Sequence, residues 1–182
     1  MKKVDYFKII QKYIKPNSLA YRFYIPHVTL VTAKALAAAR RINLSKKQLQ
    51  FIEEAGMLHD IGIIKVKDSS MGCAGKLSYE QHLIEGKKML EKENLPKHAL
   101  VCERHTSITK NQIIKNSIDL PPQDYTPQTI EEELIAWADK FYNKVESRLF
   151  TERGVKEIRA KYKTYGKEAL GMFDAWNKKF GE

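Results

Sequence analysis

Six side chains in this sequence have the types and placement to act together. The chain holds only five histidines: His27, His59, His82, His98 and His105. His59 and Asp60 stand side by side in AGMLHDIGII, residues 55–64, where an apolar run ends and Gly62 follows at once. Taken singly, each imidazole has a plain reading as a cap or a packed side chain, and a carboxylate on a helix is usually surface charge. Their shared context says more. His27 follows Pro26 and opens an apolar segment, while His59 and Asp60 end another. His82 begins a third in YEQHLIEG, and His105 closes a fourth in ALVCERHT. Asp139 lies in LIAWADKFYN, where an unpaired carboxylate would be costly to bury. Imidazole nitrogen with carboxylate oxygen suits Fe, Mn, Zn, Ni or Co and suits Ca²⁺ poorly.

The elements that must position these groups read as helices. Val4, Phe7, Ile10 and Ile14 mark a first amphipathic helix that Pro16 stops. HVTLVTAKALAAARR, residues 27–41, is Ala-rich and predicts a helix starting at His27. Ser45 with Gln48, Ser78 with Gln81, Thr109 with Gln112, and Thr129 with Glu132 have capping-box spacing. They predict helices running to about Leu58, to about Asn94, a short one after Thr109, and a long one through Trp137, Asp139 and Phe141. Pro96 suits the first turn of a further helix. The segment 61–77, with Gly62, Gly72 and Gly75, predicts a loop able to act as a lid, and LPPQDYTP, 120–127, a second loop. One or two helices are expected over 152–180, with Trp176 and Phe180 docking onto the rest. No stretch keeps period-2 alternation, and no repeat or linker divides the chain. The expectation is one all-α domain over 1–182, in which a bundle can bring side chains from several helices to one point.

The ordered set His27, His59–Asp60, His82, His105, Asp139, with HDIG spelled out at 59–62, resembles the HD-domain metal-dependent phosphohydrolase superfamily of the HDIG subtype. The likeness covers about residues 20–145. HLIEG at 82–86, ERH at 103–105 and the pattern from Pro122 to Lys140 resemble small stand-alone members, with GMLHDIG departing from their GLxxHDIG. The resemblance implies an HD-domain helical bundle in which His27, His59, Asp60 and Asp139 hold one metal. It further implies that Asp60 bridges to a second metal held by His82 and His105. Two divalent transition metals, Fe, Mn, Zn, Ni or Co, are thus the expected cofactors. Two such ions roughly 3.5–4 Å apart share and acidify a water. Four neutral imidazoles and two carboxylates leave the pocket cationic toward phosphate oxygens. The implied reaction is attack of metal-bound hydroxide on the phosphorus of a nucleotide or other small phosphate ester or phosphodiester. The GYP element of cyclic-dinucleotide phosphodiesterases is absent, and Ile63 stands where that class has Lys.

Asp60 and Lys140, which follows Asp139 in the ADK triplet, are the residues expected at the chemistry. Lys140, Arg104, Lys65 and Lys76 are the expected substrate-binding cations. Glu103 and Asp68 are candidate proton-transfer groups. Cys102 stands three residues before His105 but reads as a buried free thiol. His98 has no counterpart in the ligand pattern.

The net charge of +10 sits in the N-terminal third: residues 1–50 carry eleven Lys or Arg and one acid, Asp5. A solvated basic face explains it, and so does attraction of phosphorylated substrates. Nucleic acid is not the favoured partner, since no basic run carries interleaved aromatics. The oligomeric state is open. No window approaches the roughly 18 apolar residues of a membrane span, and the charged start is no signal peptide. Two cysteines cannot build a disulfide framework, so a reducing cytoplasm is the expected compartment. Two rival functions fit the same residues: a di-iron HD-type oxygenase, and a non-catalytic metal-stabilised sensor or binding module.

Overall fold

The computed structural model describes residues 3–181. Among them are nine α-helices: α1 Tyr6–Tyr13, α2 Leu19–Arg41, α3 Lys46–Leu58, α4 His82–Lys92, α5 Pro96–Arg104, α6 Lys110–Asn116, α7 Ile130–Asp139, α8 Val155–Tyr165 and α9 Lys167–Phe180. Among the described residues, strand is confined to a two-residue pair, Lys67–Asp68 (β1) against Cys73–Ala74 (β2), antiparallel. The fold is all-α.

Two expected boundaries moved. The helix carrying His27 starts at Leu19, so Pro26 and His27 lie inside α2. Ser18 caps it by accepting a hydrogen bond from the Tyr21 amide at 3.2 Å. Buried Ala20, Phe23, Tyr24, Val28 and Val31 then continue one apolar stripe across the proline. Packing of that stripe outweighs the loss of one backbone hydrogen bond at Pro26. At the other end, α7 stops at Asp139 rather than running through Phe141, which puts Asp139 at a helix terminus.

Caps set the remaining starts. Ser45 with Gln48 and Thr109 with Gln112 form reciprocal boxes. Thr129 caps α7, but Glu132 turns to the Gln128 amide instead of back to Thr129. Ser78 and Gln81 form no box. Both reach Asp119, and a 3₁₀ turn over Tyr79–Gln81 leads into α4.

α2 packs against α3 and α7, α4 against α5, and α8 against α9, which also meets α7. One core gathers Val31, Ala35, Trp137, Phe141, Phe173, Trp176 and Phe180. A second gathers Ile10, Ile14, Phe23, Tyr24, Val28, Leu58, Ile61 and Leu90. His27 sits where α2 passes from the second core to the first. Trp176 and Phe180 are buried in that first core, as expected for docked C-terminal positions.

The segment 61–77 holds a 3₁₀ turn over Ile61–Lys65 and the β1–β2 hairpin. That turn lies on the start of α4. A Cβ at Gly62 would collide with the His82 carbonyl oxygen and the Gly86 amide, and one at Gly86 would stand 3.1 Å from Cys102 Cβ. Two glycines therefore let the HD turn, α4 and α5 approach one another. The approach delivers His82 and His105 to Asp60.

Candidate metal centre

Each of the six side chains comes from a position the fold constrains. His27 projects from within α2, and His59 is the C-cap of α3 with Asp60 immediately after it. His82 is the first residue of α4, His105 is the C-cap of α5, and Asp139 ends α7. All are buried except Asp139, whose side chain is 14% exposed. The structure brings all six together. His27, His59, Asp60 and Asp139 form one group and Asp60, His82 and His105 another, each with donor atoms within 4.8 Å of one another.

Asp60 faces both groups, one oxygen to each. Its Oδ2 lies 3.1 Å from His27 Nε2 and 3.4 Å from His59 Nε2. Its Oδ1 lies 3.4 Å from His82 Nε2 and 3.6 Å from His105 Nε2. Asp139 Oδ1 stands 3.1 Å from His27 Nε2 and 3.6 Å from His59 Nε2.

Three of the rings are oriented by backbone. His59 Nδ1 donates to the Gly56 carbonyl at 2.7 Å, His82 Nδ1 to Tyr79 at 2.5 Å and His105 Nδ1 to Cys102 at 2.9 Å. With the hydrogen placed on Nδ1, each Nε2 presents a bare lone pair to the centre. His82 Nε2 and His105 Nε2 then face each other at 3.3 Å as two acceptors, an arrangement that a shared cation relieves. His27 Nε2, His59 Nε2 and Asp60 Oδ1 are buried without a hydrogen bond, while Asp60 Oδ2 meets only the Lys144 ammonium. Such atoms are costly unless something meets them. Adjacent donors about 2.1 Å from one ion lie about 3.0–3.4 Å apart by trigonometry, close to the separations here. The donor chemistry, the bare nitrogens and the spacing fit divalent transition metals.

The two carboxylates favour a proton on His59, which a divalent cation would displace, and burial keeps His82 and His105 neutral. Burial opposes protonation of His59, but the Asp60 and Asp139 carboxylates outweigh it and lift its pKa to about 9. Burial lowers His82 to about 3, because one carboxylate does not offset desolvation together with His105 and Lys144. Burial also lowers His105. Both carboxylates resist the upward pull of burial: Lys144 and His59 hold Asp60 well below the usual range, and Lys140 and the histidines do so for Asp139.

A cavity of about 730 Å³ opens over the cluster and is lined by His82, His105 and Asp139 among others. Lys140 lines it too, with its ammonium 2.8 Å from Asp139 Oδ2 and 3.0 Å from the His105 carbonyl oxygen. The other expected substrate cations stand elsewhere. Arg104 turns to Glu132 at 3.8 Å and Glu103 at 4.0 Å and does not line the cavity. Lys65 and Lys76 are exposed and do not line the cavity. Glu103 is spent on Lys87 at 2.8 Å and on Gln123, away from the cluster. Asp68 does line the cavity, capping the 3₁₀ turn at Ser69–Met71. His98 pairs with the buried Glu54 at 3.1 Å. Cys102 Sγ approaches the Leu58 carbonyl at 3.3 Å and stays outside the cluster. Cys73 is buried in β2.

Sequence reasoning passed over Lys144. Its ammonium stands 2.5 Å from Asp60 Oδ2 and 3.2 Å from the Tyr79 hydroxyl, at the cavity wall. The only signal was a lysine five residues after Asp139.

Among the described residues, no helix is long and apolar enough to cross a membrane. A family model described as HD domain matches residues 24–144. A tRNA (cytidine(56)-2'-O)-methyltransferase of Thermoplasma volcanium is 28% identical over 123 residues, 66% of this chain and 32% of that protein. The enzyme of the same name from Picrophilus torridus is 30% identical over 116 residues, 63% of this chain and 30% of that protein. An uncharacterized protein of Methanocaldococcus jannaschii is 33% identical over 114 residues, 59% of this chain and 57% of that protein. The chain thus spans about a third of the length of the two methyltransferases it matches. No solved structure gives a significant match.

Proposed function

The chain belongs to the HD domain family, and on that premise we propose that it is a metal-dependent phosphohydrolase acting on a nucleotide or another small phosphate ester. The observation that carries this reading is the convergence of six buried donors, three of whose imidazoles have Nε2 bared by a backbone bond at Nδ1. His27, His59, Asp60 and Asp139 would hold one divalent ion, and Asp60, His82 and His105 a second. Bound there, such ions supply Lewis acidity toward a phosphoryl oxygen and acidify water.

The chain's own groups do the rest. Lys144 holds a fixed positive charge at the cavity wall beside Asp60, where it meets the non-bridging oxygens of an incoming phosphate. Lys140 is a positioning residue: it ties Asp139 Oδ2 to the backbone at His105 and leaves Asp139 Oδ1 turned to the histidines. Tyr79 backs Lys144 through its hydroxyl and the His82 ring through an aromatic contact at 4.8 Å.

The methyl transfer in the relatives' names is not part of this reading, since the cluster offers imidazoles and carboxylates suited to hydrolysis. The tRNA in those names supports including ribonucleotides and RNA ends among the substrates tried. The test begins with protein purified without chelator. Bound metals are quantified, and nucleotides, phosphodiesters and short RNAs are assayed with Mn²⁺, Fe²⁺ and Co²⁺. Turnover that Asp60→Asn and Asp139→Asn abolish is the expected result. Turnover that survives both belongs to another site or to a contaminant. Retained metal with no hydrolysis of any compound returns the choice to a binding module.

A further inference from the structure

The family match ends at residue 144, but the cavity continues beyond it. Ile158, Lys161, Tyr162 and Tyr165 all line it. Their i, i+3, i+4, i+7 spacing makes one stripe along α8. Ile158 and Tyr162 are buried, and Lys161 and Tyr165 are exposed, so the stripe runs from the interior out to the rim. α8 is fixed against the segment that follows His105. Gln112 Nε2 donates to the Tyr165 carbonyl oxygen at 3.3 Å. Thr109 Oγ1 donates to Glu168 Oε2 at 3.2 Å where α9 begins.

Four cations line the cavity, and three are matched by carboxylates. Lys140 faces Asp139, Lys144 faces Asp60, and Arg153 lies 3.7 Å from Glu157 while also bonding Asn143. Lys161 has no ion-pair partner among the described residues, and its ammonium stands 5.7 Å from the Tyr165 ring centroid. An unmatched cation on a concave wall concentrates anions there. The cavity's roughly 730 Å³ also leaves room beyond one phosphoryl group at the cluster.

We propose that Lys161 is a specificity-determining residue that binds a second phosphate of the substrate, distinct from the one presented to the histidines and aspartates. The inference rests on the hydrolase reading for the identity of the first phosphate. The second has two sources with one chemistry: the same small nucleotide, or the neighbouring unit of an oligonucleotide.

Binding of AMP, ADP and the dinucleotide pApA is measured by calorimetry on the protein as purified, and each probe is checked for intactness after the titration. Wild type, Lys161→Ala and Lys161→Arg are compared. Lys161 is exposed, so neither change burdens folding. Wild type is expected to bind ADP or pApA about tenfold more tightly than AMP, as one charge-assisted contact allows. Lys161→Ala removes that preference, Lys161→Arg keeps it, and AMP affinity stays constant. A preference confined to ADP identifies a small nucleotide, and one confined to pApA an RNA-like end. Equal affinities in the wild type, a preference that survives Lys161→Ala, or no binding of any probe overturns the proposal. Absence of turnover by the metal-loaded protein counts against the hydrolase reading alone and leaves the binding comparison intact.

Discussion

His59 and His82 are both buried beside Asp60, yet they are pushed in opposite directions, to about 9 and to about 3. The contrast predicts how stability depends on pH in chelator-treated protein. Raised in the folded state, His59 contributes stability that is complete below its unfolded value near 6.5 and is lost as pH climbs through 9. His82 acts with the other sign. Below 6.5 the unfolded chain takes up a proton that folded His82 refuses until about 3, so acidification favours unfolding. Asp60, held low, adds to the acid loss at still lower pH. Urea midpoints should peak near neutrality, and His82→Gln should flatten the fall between pH 6.5 and 4 while sparing the alkaline side. An acid limb that this substitution leaves unchanged would contradict the assignment. Lys144→Met should lower kcat/KM about 10²-fold toward a phosphate substrate, the usual cost of one preorganised charge, while bound metal is retained. Arg104→Ala, Lys65→Ala and Lys76→Ala should stay within about twofold of wild type, since none lines the cavity. All six cluster residues were legible in the sequence through their types and order. Of the cations only Lys140 was, through the ADK triplet; Lys144 was not, because a lysine's reach depends on which way a chain end turns, and here it turns to Asp60.

The Ile61–Lys65 turn and the start of α4 are neighbours because Gly62 and Gly86 carry no Cβ. Gly62→Ala forces backbone apart and should cost about 1–3 kcal/mol, read by urea denaturation. The same variant should lose metal content, as His82 retreats from Asp60, whereas a purely destabilising change elsewhere would leave the metal-to-protein ratio intact. A ratio unaffected by Gly62→Ala would sink this account of the glycines. Local signals placed several starts well: Ser45 and Thr109 made the boxes their spacing suggested. They failed where a longer-range partner competed, as Asp119 does for Ser78 and Gln81. Pro26 misled for a related reason, since the stop it encodes is overridden by the apolar stripe on both sides of it.

The C-terminal pair α8–α9 joins the α2–α7 layer through Phe141, Phe173, Trp176 and Phe180 around Trp137. Phe173 is fully buried, with ring contacts to Phe141 at 6.3 Å and Tyr162 at 5.3 Å. Phe173→Ala should therefore cost about 3–5 kcal/mol by denaturation. Because Tyr162 belongs to the cavity wall, the variant should also blunt any preference for a second phosphate. Equal stability of variant and wild type would mean that the tail is not part of the cooperative unit. The aromatic spacing in the tail announced that it packs, but no periodicity could announce that α8 would line a pocket. That depends on how α6 and α8 meet through Gln112 and Tyr165, residues 53 apart in sequence.

The three imidazoles whose tautomers are set by carbonyls of their own turns have a consequence for how such a protein can change over generations. The orienting partners are peptide groups at Gly56, Tyr79 and Cys102, which no point mutation deletes. Drift around the mouth of the pocket can rewrite what enters while the inorganic chemistry at its floor is inherited intact.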